Sequence, residues 1–411
     1  MKIFLMIGWR NLWRNKRRSL VVITAIALGI FSMLLAMGIM NGINNQMVEN
    51  TIKTSLGHVA IHYDGFHNDM KLKYSFRPKP GIMKAVKDNQ YVKHFAKRVK
   101  FEAMIRSSEA SQGVMIMGIE PENEKKVSSI YQYTLKKEGS SFLESPDSDE
   151  ILISATMADK LDLLVGDRLV VMFQDMNKEL VGNAFTVKGL FETPISSFDK
   201  YVVYTGINTL QKMAGIGNKI SEISIITGNK EEVDKAAGQM RNELSGKKLE
   251  ILTWKDMAPS LVRSVALFDT MMYVFFAIIF ITVIFSIANT LIMAIMERFH
   301  EIGVMKSIGT RPSWIGGMVM FEAVNLGLVG LAAGIVMAIL VISLLGATGI
   351  DLGFYAESMR MWGTGTVIYP SLKTMDFVVS ALIVFANTII AAIYPAVKAA
   401  RIKPLDALHY V

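Results

Sequence analysis

The chain alternates between long runs without a charged side chain and stretches where apolar and polar positions interleave at short period. Four uncharged runs stand out: residues 19–48, 270–296, 312–350 (broken only by Glu322) and 377–397. Each exceeds the roughly 20 residues that an α-helix needs to cross a bilayer core. The pattern therefore predicts transmembrane helices at 19–42, 271–296, 317–345 and 376–394. Between the first two, residues 43–270 mix β-branched runs with short helical periodicity. Strands are expected at 58–63, 99–105, 113–118, 168–173, 184–191, 219–226 and 249–254, and helices at 154–163, 208–214 and 231–244. The fold class that follows is a membrane protein, four transmembrane α-helices with a large α+β extracytoplasmic domain between helix 1 and helix 2. The first run reads as an anchor, because its apolar length exceeds the roughly 7–15 residues of a signal-peptide core and Ile39–Asn45 offers no small-x-small cleavage site.

Composition agrees, with 51% hydrophobic and only 19% charged residues. The net charge of +8 would suggest nucleic acid if it were spread evenly, but residues 43–270 carry 30 basic and 29 acidic side chains. Residues 1–18 instead hold six bases and no acid, the 297–313 link holds Arg298, Lys306 and Arg311, and the tail 395–411 holds Lys398, Arg401 and Lys403. This asymmetry places both termini and the link in the cytoplasm, with 43–270 and the loop 346–375 outside. Cysteine is absent, which excludes disulfides, thiolate metal sites and a cysteine nucleophile. No G-x-x-x-x-G-K-[ST] stretch occurs, so the chain is not expected to be an enzyme that hydrolyses ATP alone. His58 and His62 have the spacing of a helical metal pair, but their His-Val-Ala-Ile-His segment alternates like a strand and lacks a neighbouring glutamate. Gly215 and Gly217 follow no strand and open no long helix, which argues against a dinucleotide site.

Four other features carry information. In the 297–313 link Ile302, Met305 and Ile308 fall at i, i+3, i+6, with Gly309 where such a helix would end. That stripe reads either as an interfacial connector or as a helix docking on a cytoplasmic partner. Residues 7–18 form a basic amphipathic segment with Trp9, Leu12 and Trp13 opposite Arg10, Arg14, Arg17 and Arg18, suited to anchoring at anionic headgroups. Glu322, Asn289, Asn325 and Asn387 are intramembrane polar groups that should face protein, and Gly330/Gly334 and Gly38/Gly42 permit close helix approach within the chain or in a dimer. Lys71–Arg106 carries 11 basic and two acidic residues, either a solvated face or a surface for anionic headgroups or an acidic partner.

The one-plus-three arrangement of spans and the segment Glu297-Arg298…Glu301-Ile302-Gly303-Val304-Met305-Lys306-Ser307-Ile308-Gly309 resemble the permeases of type VII ABC systems, the MacB, LolC/LolE and FtsX superfamily. The opening Trp9-Arg10-Asn11-Leu12-Trp13-Arg14-Asn15-Lys16-Arg17-Arg18-Ser19 and the ending Tyr394-Pro395-Ala396…Ala399-Ala400-Arg401-Ile402-Lys403-Pro404-Leu405-Asp406-Ala407-Leu408 match too. Within the outward domain, Val114–Glu122, Ile153–Asp167 and Val187–Asp199 resemble the lipoprotein-releasing branch most. Ser154 departs from that pattern, which often has glycine there. The resemblance implies a multi-pass bacterial inner-membrane permease that extracts lipoproteins from the outer leaflet. MacB-type drug or peptide efflux and an FtsX-like signalling scaffold are the alternatives. It also implies cytoplasmic ABC ATPase subunits that bind ATP and Mg, a second permease (identical or paralogous), a periplasmic lipoprotein carrier, the lipid bilayer as a partner, and no nucleic acid or cofactor of the chain itself. Glu301, Ile302, Gly303, Met305, Lys306 and Gly309 would form the ATPase-coupling helix, with Glu301, Met305 and Lys306 close to the ATPase. Met33, Met37 and Met40 in the first span and Met271, Met272 and Phe275 in the second cluster at one depth. Flexible, polarizable side chains of this kind suit either a cleft for variable apolar cargo or plain packing between the two helices.

Overall fold

The computed structural model describes residues 16–136 and 139–404. The expectations resting on Trp9, Leu12, Trp13, Arg10 and Arg14, and on Leu405–Leu408, lie outside the described residues. Two compact units emerge. One holds the chain up to Asn44, Val265–Asp351 and the chain from Val367 on; the other is Asn45–Ser264 together with Leu352–Thr366.

The four expected spans are helices Lys16–Thr51, Pro259–Glu297, Pro312–Thr348 and Thr374–Ala400, which belong to the first unit except for Asn45–Thr51 and Pro259–Ser264. Their 36, 39, 37 and 27 residues all exceed the predicted bounds. At 1.5 Å per residue the first three are about 55 Å long, well beyond a bilayer core of roughly 30 Å. The apolar run fixes only the part of each helix in lipid, and the helix continues through polar residues such as Asn41, Asn44 and Gln46 because its backbone bonds remain satisfied internally. Small residues set the packing. A Cβ at Gly330 would lie 2.7 Å from Ile26, and one at Gly334 would lie 2.8 Å from Ile30 and from the Ala27 carbonyl. Gly38 packs on Ile342, and Gly42 on the Tyr369 carbonyl. Both glycine pairs therefore serve packing within the chain.

The second unit is built on nine strands: β1 Val59–Tyr63, β2 Val92–Arg106, β3 Ser111–Ile119, β4 Glu150–Ser154, β5 Arg168–Gln174, β6 Leu180–Phe191, β7 Val202–Gly206, β8 Glu222–Thr227 and β9 Leu249–Thr253. β4 and β7 are additions to the predicted strands. Helices occur at Ala155–Leu161, Ile207–Met213 and Val233–Glu243 as expected, and also at Pro80–Lys87 and Pro121–Val127. The two missed strands are seated by parallel pairing, β7 on β3 and β4 on β6, a relation between distant segments. Ser154, at the unusual position, accepts the Met157 amide at 3.0 Å and caps the helix that follows.

β2 is 15 residues long and organises the sheet. One of its edges pairs with β3, while its other edge pairs first with β8 and then with β5. The pairings β2–β3, β3–β7, β7–β4, β4–β6, β6–β5 and β5–β2 close six strands into a ring, and β8, β1 and β9 extend from β2 as an arm. Val99, Phe101, Ala103 and Ile105 send alternate side chains into the main core. Arg98 and Lys100 therefore point to the other face, yet both are buried.

In the loop between the third and fourth spans, residues 352–366 join the second unit. Arg360 is paired with Glu192 and Asp199, at 2.6 Å in the latter case, and Asn50 donates to the Gly363 carbonyl at 3.0 Å.

Candidate functional site

At the link, residues Phe299–Ser307 are helical, and the helix ends where predicted. Gly309 adopts φ +94°, its amide donates to the Lys306 carbonyl, and the Thr310 amide reaches back to the Met305 carbonyl, both at 3.0 Å. This is a Schellman closure, whose left-handed residue favours glycine.

The predicted stripe divides between two faces. Ile302 is buried in the span core with Met305 packed beside it, and Gly303 is buried as well. Lys306 Nζ donates to the carbonyls of Ala400 and Ile402 at 2.9 and 2.6 Å, capping the end of the fourth span. Met305 and Lys306 thus face their own chain, where the sequence reading had them close to a partner. Ile308, in contrast, is 78% exposed. Trp314, at the start of the third span, is 54% exposed, Glu301 and Val304 are exposed too, and Ile308, Gly309, Thr310, Arg311 and Trp314 line one shallow surface pocket. The outward apolar surface is therefore Val304, Ile308 and Trp314.

Behind the helix lies a charge cluster that the sequence did not reveal. Glu322 receives Arg18 Nη2 at 3.3 Å and Arg298 Nη1 at 3.4 Å, and Arg18 Nη1 also reaches Glu297 at 2.8 Å. The first span, the link and the third span are joined at one carboxylate. A cavity of about 160 Å³ adjoins it, lined by Leu291, Ile295, Arg298, Ile302, Ile315 and Glu322. Elsewhere in the spans, Asn325 donates to the Phe321 carbonyl and Asn387 to that of Phe280.

The six residues of the expected cargo cleft are not gathered on one surface. Gly29 packs on Val283 and Ile279, and Asn44 reaches Asp269, which sets Met33–Met40 and Met271–Phe275 at matching levels of the two spans. Met33 is nevertheless buried, Met37, Met40 and Met272 are half-buried, and Met271 (65%) and Phe275 are exposed.

In the second unit the β register builds a row that runs across four strands. Arg98 of β2 stands opposite Glu222 of β8, which stands opposite His62 of β1, which stands opposite Glu250 of β9. Arg98 bonds Glu124 twice (2.6 and 3.0 Å), Glu222 at 3.0 Å and the Ser55 carbonyl at 2.6 Å. Lys100 also pairs with Glu222, and His62 Nε2 donates to it at 2.7 Å. Although burial pushes the Glu222 carboxyl up, Lys100, His62 and Arg98 together hold it well below the usual carboxylate range. Ser55 belongs to a π-helical turn, Ile52–Leu56, that ends the first long helix. Tyr204 donates to the Thr54 carbonyl at 3.3 Å and Ser224 to that of Leu56 at 3.2 Å, so this turn is fastened into the sheet. His62 is thus a partner in an ion row, and among the described residues no group of three His, Asp or Glu is placed to hold a metal.

A MacB-like periplasmic core domain matches residues 19–243, and an FtsX-like permease C-terminal domain matches residues 273–404. The chain belongs to the MacB/FtsX-like permease family. Similar to this permease over 98% of both chains are the lipoprotein-releasing system transmembrane proteins LolC of Neisseria meningitidis serogroup B, at 23% identity over 425 residues, and LolE of Haemophilus influenzae, at 22% over 419 residues. The crystal structure of the periplasmic region of MacB from Actinobacillus actinomycetemcomitans aligns with TM-score 0.36 and 12% identity, covering 54% of this chain and 97% of that one.

The ion row gives this permease a pH-dependent stability. Burial lowers the pKa of His62, whose Nδ1 has Glu250 only at 3.9 Å, and burial lowers that of His58 as well. An unfolded histidine titrates near 6.5. As pH falls through that value the unfolded chain takes up protons that the folded domain refuses, so stability is lost on acidification. The melting temperature of the detergent-solubilised protein is expected to fall between pH 7.5 and 5.5. His62→Gln, which keeps a donor toward Glu222, should remove part of the slope, and adding His58→Gln should remove more. Identical slopes in all three proteins would refute the assignment.

Proposed function

We propose that the chain is the permease subunit of an ABC transporter in the bacterial inner membrane, with both termini cytoplasmic, that extracts lipoproteins from the outer leaflet. ATP and Mg belong to separate cytoplasmic ATPase subunits, and a second permease, identical or paralogous, completes the membrane unit. The observation that carries this reading is the two-sided helix Phe299–Ser307. Its inner face is stitched to spans through Ile302, Lys306 and the neighbouring Arg298–Glu322 pair, while Val304, Ile308 and nearby Trp314 are presented outward. A subunit gripping the outward side would displace the spans together. The π-helical turn fastened to Arg98 and Tyr204 would then carry motion of the first long helix into the sheet. Cargo class follows the lipoprotein-releasing relatives. Within the spans, Glu322 is bonded to two arginines and Asn387 donates to a backbone carbonyl, which fits an apolar cargo better than a polar one. Cargo would meet the outward ends of spans one and two, with Met271 and Phe275 as the accessible part.

Affinity purification of the tagged chain from native membranes, followed by mass spectrometry, tests the proposal. An ABC ATPase, a second permease and acylated protein are expected to copurify, with a periplasmic carrier recovered after crosslinking. Recovery of an efflux adaptor without acylated protein would shift the reading to drug or peptide export, and recovery of a cell-wall hydrolase would shift it to a signalling scaffold. Absence of any ATPase would overturn it.

A further inference from the structure

The second unit carries an open cleft of about 530 Å³, within the range that holds small-molecule ligands. Five methionines line it, Met47, Met70, Met115, Met117 and Met361, with Trp362 beside them. Met115 and Met117 are buried on β3, whereas Met361 (72%) and Trp362 are exposed and mark an open side. One ammonium, that of Lys100, borders the space, but it is already paired with Glu222, so no uncompensated charge awaits an ionic ligand. The other polar neighbours are mainly hydroxyls, such as those of Ser55, Ser197 and Ser260. Two of the lining segments, Met47–Leu56 and Ala258–Ser264, are continuous along the chain with the first and second spans.

We propose that this cavity in the periplasmic domain is a binding site for a single unbranched acyl chain, gripped by Met115 and Met117 and entering past Met361 and Trp362. Methionine has three rotatable bonds and a polarizable sulfur, so a wall of methionines follows the contour of a flexible chain without demanding one conformation. A mainly apolar lining with no unpaired charge favours the hydrocarbon over any headgroup. The site rests on the proposed function only for the source of the chain, because the acyl group of a cargo and that of a free bilayer lipid present the same chemistry.

The test uses the full-length chain in nanodiscs and a diazirine-bearing palmitate as the probe, with adducts mapped by peptide mass spectrometry. Adducts are expected on the peptides carrying Met115, Met117 and Met361. Unlabelled palmitate should compete with them, and Met117→Trp, which fills the cavity, should reduce them at least tenfold. Met361→Glu lies on the exposed rim, where folding is indifferent to it, and should reduce them severalfold. Two parallel arms carry the diazirine on a phospholipid and on a triacylated lipopeptide. Labelling from either supports the site and identifies the source. Adducts confined to the spans, or insensitive to both variants, would overturn it. If lipoprotein release by the assembled complex proceeds while the cavity stays unlabelled, the site falls and the transport function stands. If the cavity is labelled but no release occurs, the function falls and the site stands.

Discussion

Replacing Arg98 with methionine is expected to lower the melting temperature of the protein by about 10 °C and to open the periplasmic domain to protease. The guanidinium is fully buried and is the shared donor to Glu124, Glu222 and the Ser55 carbonyl. Removing one partner from a buried ion cluster costs about 3–5 kcal/mol, because the remaining charge has neither water nor a counterion. Against a total stability of about 5–15 kcal/mol this is a large fraction, and in a domain of this size each kcal/mol moves the melting temperature by roughly 2–4 °C. Lysine is no substitute, since it lacks the planar fork that binds Glu124 through two nitrogens. Converting the cluster as a unit is the informative control: Arg98→Met with Glu124→Leu, Glu222→Met and Lys100→Met should recover most of the loss, as apolar replacement of a whole buried cluster is often neutral. A melting temperature of Arg98→Met within 2 °C (~0.5–1 kcal/mol) of the parent would mean that the cluster is not what fastens the end of the first helix.

The second large effect is expected at the link. Ile308→Asp combined with Trp314→Ala should weaken association with the ATPase subunit by at least tenfold and abolish stimulation of its activity, with insertion of the chain unchanged. Exposed apolar anchors of this kind typically contribute about 2 kcal/mol or more each when buried at an interface, and every 1.4 kcal/mol is roughly a tenfold change in affinity. Lys306→Ala should behave differently. It detaches the helix from the end of the fourth span while leaving the outer face intact, so the ATPase should still bind but lose its coupling to transport. Met305→Asp is a poor probe of docking, since Met305 packs on the span core and the change would disturb folding first. Undiminished copurification of the ATPase with the Ile308/Trp314 double variant would show that Val304, Ile308 and Trp314 meet lipid headgroups instead.

Much of this protein was legible along the chain. Transfer of apolar side chains into lipid is local and additive, so an uncharged run of sufficient length declares a span whatever the rest of the chain does, and all four helices appear where those runs lie. Seven of the nine strands of the second unit also lie on segments the sequence marked, whereas β4 and β7 are seated by parallel pairing with β6 and β3, which no local pattern announces. Gly309 likewise announces its helix end, because a Schellman closure makes a strictly local demand on backbone conformation.

What tertiary structure alone decided are relations between residues far apart in the chain. A row joining Arg98, Glu222, His62 and Glu250 exists only once β2, β8, β1 and β9 adopt one particular register, and a slip by a single residue would turn each side chain to the opposite face. The link stripe was visible as a periodicity, but periodicity does not say which neighbour occupies which side of a helix, and the structure turned Met305 and Lys306 inward and Ile308 outward. Residues 352–366 read as an ordinary connection between spans until Arg360 met Asp199, 161 positions earlier in the chain. In each case the missing information was a pairing between segments more than 90 residues apart, which no local sum of hydropathy or propensity contains.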